Sequence, residues 1–252
     1  MIRKEGYSLL AVSYDRPETL AAFSARHNIT YPLLSDEGSR VVDAWGLRNA
    51  AAQGRETGIP HPGTFLIDRQ LRVVDRAFEQ PYQERNTAAG LLARIGGAVP
   101  PASGTNVTGG QLTATIGVSD ASAAPGQRVT LIVDIVPKPK MHVYAPGQGG
   151  YIPLSIALDP SPDIRTEPAR FPPPRTFYFA PLKESVKVYD APMRVTQVLT
   201  LALTPDLRRR ATARETLTIT GSLQYQACDD AVCYRPETMP VTWSIALTPF
   251  VR

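Results

Sequence analysis

Tyr225-Gln226-Ala227-Cys228-Asp229-Asp230-Ala231-Val232-Cys233-Tyr234-Arg235-Pro236 holds the only two cysteines of the 252-residue chain, with four residues between them. The stretch lies between two runs that read as strands, Leu217 to Tyr225 and Val241 to Leu247. As a brace the pair is weak: closing so short a loop removes on the order of 2 kcal/mol of unfolded-state entropy, against about 5 kcal/mol for a long one. A domain of about 150 residues buries enough apolar surface to stand without it. The spacing therefore favours a dithiol that opens and closes.

Three rival readings stand beside that one. A structural hairpin disulfide suits the way secreted β domains use cysteine. Half a zinc site is the second, but tetrahedral zinc takes four ligands, and of the three histidines only His142 lies in this part of the chain. No metal site and no cofactor is expected. Two unrelated buried thiols are the third reading, and Asp229 and Asp230 argue against it by making the segment polar.

The same residues carry a resemblance. Tyr-Gln-x-Cys at 225–228 and Cys-Tyr-x-Pro-Glu-Thr at 233–238 resemble the active-site hairpin of the amino-terminal, periplasmic domain of the DsbD family, bacterial membrane thiol–disulfide transporters. The resemblance implies an immunoglobulin-like sandwich whose two cysteines shuttle electrons between thioredoxin-like redox proteins. It implies that Cys233 forms the mixed disulfide with such a partner and that Cys228 resolves it. The best-known member of the family has one more residue between its cysteines. Asp229 and Asp230 are expected to raise the thiol pKa by like-charge repulsion, which suits a slow, partner-specific relay.

Bulk properties narrow the class. A hydrophobic fraction of 43% and a charged fraction of 20% are ordinary for a globular protein. The 24 prolines cluster after residue 98, favouring β structure there. No apolar run approaches the roughly 20 residues that span a bilayer, so no stable membrane insertion is expected. Arg208-Arg209-Arg210, flanked by Asp206 and Glu215, reads as a solvated loop, and without aromatic interleaving it gives no nucleic-acid surface.

The first part of the chain alternates strands with helices. Ser8 to Tyr14 is a short apolar run of the buried-strand kind, and Asp15 with Glu18 three residues on makes a capping box for a helix to about His27, with Leu20 and Phe23 inward. Tyr31 to Leu34 and Thr64 to Asp68 read as further strands, Asp36 caps a helix carrying Val41, Val42 and Trp45, and a last helix runs from about Tyr82 to Ile95. Ala11-Val-Ser-Tyr-Asp15, Tyr31-Pro-Leu-Leu-Ser-Asp36 and His61-Pro-Gly-Thr-Phe-Leu-Ile-Asp68 resemble the peroxiredoxin/redoxin (AhpC/TSA-type) branch of the thioredoxin fold. In that family a strand and the thiol-bearing helix precede the strand that begins here at residue 8. No cysteine occurs before Cys228, so peroxidase chemistry has no local nucleophile. The reading favours a fragment of a redoxin domain over an inert scaffold.

Residues 98–110 have the Pro/Gly/Ser composition of a linker. From Gln111 the period becomes two, in Leu112 to Val118, Val129 to Val136, Leu154 to Leu158, Val195 to Leu203, Leu217 to Tyr225 and Val241 to Leu247. Strands separated by turns, with no helix pattern, predict a sandwich. Met141 to Gly147 resembles the DsbD family's aromatic segment beside the cysteines. The family's cap loop falls near Phe171 to Val188, which holds Phe177, Tyr178 and Phe179 without singling out a capping ring.

The expected protein thus has two domains: an incomplete α/β thioredoxin-like fold over 1–97, a linker over 98–110 and an all-β immunoglobulin-like sandwich over 111–252. Its expected function is thiol–disulfide interchange through Cys228 and Cys233. The alternatives are a peroxiredoxin-type antioxidant oxidoreductase whose cysteine segment lies outside this chain, and a binding or scaffold protein with a structural disulfide. The redox pair points to the periplasm or cell envelope. Met1 to Tyr7 lack the apolar core of a signal peptide, so that location goes with a truncated start.

Overall fold

Turn residues and hydrophobic period mark out most of the elements seen in the computed structural model, which describes residues 6–54, 57–78, 84–94, 101, 103–179 and 183–249. The chain divides into two units, Met1–Arg85 and Asn86–Arg252.

In the first unit, β1 (Ala11–Ser13) leads through α1 (Pro17–His27) to β2 (Leu33–Ser35), which pairs with β1 in parallel. α2 (Arg40–Ala44) follows, then β3 (Gly63–Ile67) and β4 (Val73–Phe78), an antiparallel hairpin. This is the thioredoxin-like region. Asp36 caps α2 as its position suggests, its carboxylate accepting the N–H groups of Val41 at 3.0 Å and Val42 at 2.9 Å. Two expectations fail here. Asp15 does not cap α1: Arg16 holds the N-cap position without a side-chain bond, and the Asp15 carboxylate accepts the Ser13 hydroxyl at 2.6 Å, a local bond that outcompetes the cap. Phe23 is not inward; it is 49% exposed and its ring lies against His27, while Leu20 is buried. Leu10, Leu34 and Val74 are also exposed in this unit.

The second unit is a β-sandwich. After β5 (Arg85–Asn86), which falls at the boundary, its chain runs α3 (Ala88–Arg94), β6 (Ser103–Thr108), β7 (Leu112–Val118), β8 (Ser122–Ala123) and β9 (Gln127–Pro137). It continues through β10 (His142–Tyr144), β11 (Ser155–Leu158), β12 (Ile164–Thr166), β13 (Arg175–Phe179), β14 (Glu184–Tyr189) and β15 (Met193–Leu201). Last come α4 (Pro205–Thr212), β16 (Thr216–Tyr225), β17 (Ala227–Cys228) and β18 (Glu237–Leu247). One sheet has the order β12-β15-β9-β7-β6 with β5 also on β9, a second the order β11-β16-β18-β8, and a third the order β13-β14-β10-β17. Alternate residues of the first two sheets, such as Leu112, Ala114, Ile116 and Val118 against Val241, Trp243 and Ile245, share one core. The period of two is the reason: every second side chain points inward.

Three assignments change. Residues 103–108, read as linker, form β6 along β7, and Val107 packs on the core. The helix placed at the end of the first domain is α3, which packs on β9 and β15 of the sandwich; the Thr130 hydroxyl donates to the Gly90 carbonyl at 2.9 Å. Tyr82, Gln83 and Ile95 of that expected helix lie outside the described residues. Arg208 to Arg210 belong to α4 rather than to a loop. Thr204 caps it by accepting the Leu207 N–H at 3.2 Å, Leu207 and Ala211 bury one face, and Arg210 pairs with Asp163 and Glu215. Leu207 and Ala211 are one turn apart, too short a pattern to stand out among three arginines.

At Gly221 β16 leaves no room for a side chain beside β11: a Cβ there would lie 2.3 Å from the Ala157 carbonyl oxygen. Backbone on both sides has to shift to admit it. Gly221→Ala is expected to cost about 2 kcal/mol, read as a lower urea midpoint at unchanged slope; a midpoint equal to the native one refutes this packing.

Candidate redox site

The site begins where a ladder ends. β16 and β18 pair without interruption from Thr216 opposite Ala246 to Tyr225 opposite Glu237. The last pair is clasped by side chains, the Tyr225 hydroxyl donating to Glu237 Oε2 at 2.6 Å, and the same carboxylate oxygen accepts the Gly110 N–H at 2.9 Å. Gln226 then carries the chain from the second sheet into the third. Its N–H donates to the Ile152 carbonyl at 3.2 Å, its side-chain oxygen accepts the Ile152 N–H at 3.0 Å, and its amide donates to the Tyr234 carbonyl at 3.2 Å. Beyond it β17 pairs with β10, placing Cys228 opposite His142 and Ala227 opposite Val143.

Asp229 closes the turn between the cysteines. Its carboxylate accepts the N–H groups of Ala231 at 2.8 Å and Val232 at 2.7 Å and the Tyr234 hydroxyl at 3.0 Å. Its N–H donates to the Val232 carbonyl at 2.9 Å. Those donors hold its carboxyl below the usual carboxylate range, the Ala231 N–H contributing most. Asp229 is thus an ionised turn-former whose oxygens are already engaged.

Cys228 and Cys233 are joined in a disulfide whose Cα atoms are 4.0 Å apart. The two sulfurs live in different surroundings. Cys228 is 0% exposed and belongs to an apolar cluster with Tyr144, Val186 and Val188, on which Tyr151 and Phe177 pack, whereas Cys233 is exposed. The Tyr144 hydroxyl lies 2.9 Å from Cys228 Sγ and 3.6 Å from Cys233 Sγ. Burial pushes the Tyr144 phenol up, so it keeps its proton throughout the neutral range. Its ring stacks on Tyr151 at 3.9 Å with 11° between planes, and the Tyr151 hydroxyl donates to the Glu184 carboxylate.

The two sequence-selected cysteines therefore come together, and Met141 to Gly147 does supply an aromatic group beside them. The segment read as a cap forms the β13–β14 hairpin, with 180–182 outside the described residues. Of its aromatics, Phe177 joins the Cys228 cluster, Phe179 is buried and Tyr178 is 59% exposed. Sequence reasoning missed Tyr151 and Glu184. A signal for Tyr151 was present: Gly147 and Gly150, both at positive φ (83° and 82°), turn the chain back so that one tyrosine meets the other. Among the described residues no three His, Cys, Asp or Glu side chains gather as a metal site, and no helix is long and apolar enough to cross a membrane.

A β-sandwich with a disulfide bridging its buried and exposed sides defines the class. Residues 114–243 match the family model of the N-terminal domain of the thiol:disulfide interchange protein DsbD, and the chain belongs to that family. Residues 1–76 match the AhpC/TSA family. The chain is 30% identical over 73 residues to peroxiredoxin Bcp of Escherichia coli K12, covering 29% of this chain and 47% of the relative. It is also 30% identical over 73 residues to the thiol-disulfide oxidoreductase ResA of Halalkalibacterium halodurans, covering 29% of this chain and 35% of the relative. The chain spans less than half the length of these curated relatives. Among solved structures it is similar to the N-terminal periplasmic domain of ScsB from Proteus mirabilis, at 16% identity and a TM-score of 0.39 over 60% of this chain and 53% of that one.

His142 is buried opposite Cys228, ringed by Phe177 at 4.6 Å, Tyr144 at 5.8 Å and Phe179 at 6.5 Å, and its Nε2 has no hydrogen-bond partner among the described residues. Burial lowers its pKa, Asp230, Asp190 and Asp229 pull it back up, and Arg175 adds to the lowering. The unfolded chain therefore takes up a proton near pH 6.5 that the folded chain refuses. The stabilisation is full above that pH and is lost as pH falls through the unfolded value toward the folded one. Between pH 7 and pH 5 the urea midpoint should drop in the native protein and drop less in His142→Phe; parallel curves refute the assignment.

Proposed function

We propose that this chain is a thiol–disulfide interchange protein that relays reducing equivalents between thioredoxin-like proteins through Cys228 and Cys233. The observation that carries the reading is the asymmetry of the pair: Cys233 is an exposed residue, bonded to Cys228, which has no solvent access. The burial of Cys228 directs a partner thiolate to Cys233 Sγ. Its attack forms a partner–Cys233 disulfide and releases Cys228 as the leaving thiolate; in the reverse direction Cys228 attacks Cys233 Sγ and expels the partner. A second partner thiolate attacking its own bridged sulfur frees Cys233, so one dithiol is oxidised as the other is reduced, with protons exchanged with solvent.

Membership of the DsbD N-terminal family supports the same chemistry and an envelope location. The redoxin-like unit has no cysteine in this chain, so the reading gives it no thiol step. Neither a cofactor nor a nucleic-acid partner enters.

Trapping tests the assignment of roles. Cys228→Ser, with Cys233 left free, should accumulate a mixed disulfide with a thioredoxin-like protein lacking its resolving cysteine, and Cys233→Ser should reduce that adduct at least tenfold. Equal trapping by the two variants contradicts the assignment.

A further inference from the structure

We propose that Tyr144 is a catalytic hydrogen-bond donor that stabilises Cys228 as the leaving thiolate, and that Tyr151 and Glu184 are positioning residues that hold it ready. The inference rests on the exchange reading above and adds to it the group that makes a buried sulfur a workable leaving group.

The need arises from burial. Cys228 is 0% exposed, and taking a thiolate out of water raises its pKa, which makes it leave more slowly. A donor aimed at that sulfur reverses the penalty. Tyr144 is buried with it, its hydroxyl 2.9 Å from Cys228 Sγ and farther, at 3.6 Å, from Cys233 Sγ. The donor thus sits nearer the sulfur on which charge develops. A disulfide sulfur is a weak acceptor and a thiolate a charged, strong one. The bond therefore strengthens as the S–S bond breaks, which is the condition for lowering a barrier rather than merely stabilising the oxidised state.

The neighbours keep the hydroxyl available. Tyr151 lies flat against the Tyr144 ring and has its own proton committed to Glu184. With no second proton competing for it, the Tyr144 O–H strengthens its bond to Cys228 Sγ on cleavage without any movement of the ring. Glu184 lies at the start of β14, so the hairpin carrying Phe177 also anchors the donor.

Dithiothreitol serves as the probe, because it reduces the pair without a protein partner. Its first thiolate attacks Cys233 Sγ, the bond electrons leave on Cys228 Sγ, and its second thiolate then displaces Cys233 as the cyclic disulfide forms. In the full chain at neutral pH, Tyr144→Phe should be reduced about tenfold more slowly, the effect of losing one hydrogen bond to a charged group. In a Cys233→Ser background the same change should raise the Cys228 pKa by about one unit, read from ultraviolet thiolate absorbance. A fluorinated tyrosine at 144, a stronger donor of nearly the same size, should move both quantities the other way, which a purely packing role would not do. Unchanged rate and thiol pKa in a folded Tyr144→Phe overturn this inference alone. A native pair inert to dithiothreitol overturns it together with the exchange reading, whereas reduction by dithiothreitol with the expected Tyr144 effects but no trapping of thioredoxin-like protein overturns only the partner.

Discussion

The site depends on where the β16–β18 ladder stops. Its ten register pairs end at Tyr225 and Glu237, and the next residues cannot continue it, because Gln226 is held by Ile152 and Tyr234 and hands the chain to β10 in another sheet. That change of sheet sends Cys228 into the apolar cluster and leaves Cys233 on the outward side of a turn. Cys228 and Cys233 still face each other across that turn as an antiparallel bridge, but only Cys228 is covered from its other side, by β10. The difference between the two sulfurs is thus a product of topology.

Burial alone would make a poor exchange site. A buried sulfur resists becoming a thiolate, and polar groups in an apolar cluster are costly without partners. The structure answers with tyrosines, which bring a donor on a largely apolar ring. Tyr144 and Tyr151 stack, and the charged Glu184 joins them through Tyr151, away from the sulfurs. Asp229, beside the cysteine in sequence, spends its oxygens on the turn. Of the two aspartates expected to act on the thiols by repulsion, this one has a clear structural task.

How much of this could be read beforehand varies with the range of the interactions. Local signals were legible: the period of two in β7, β9, β16 and β18, the Asp36 cap, and the cysteine motif with its flanking Tyr225 and Glu237. What escaped was set at long range. α3 has an apolar face of Ala89, Leu92 and Ala93, but no local pattern says that this face covers the sandwich. Residues 103–108 have linker composition and become a strand because β7 offers a free edge. Tyr151 meets Tyr144 only after a glycine-bearing reversal, and Glu184 reaches them from a different hairpin. Phe23 shows the opposite error: an apolar residue at helical spacing faces inward only when something lies there to cover it.

The central claim is that Cys228 and Cys233 exchange their bond with outside thiols. Equilibrating the full chain in dithiothreitol redox buffers and measuring the free thiol fraction gives the potential of the pair. The account predicts a value among those of exchange proteins, above about −300 mV. A value well below about −300 mV, the range of disulfides kept for structure, would contradict it.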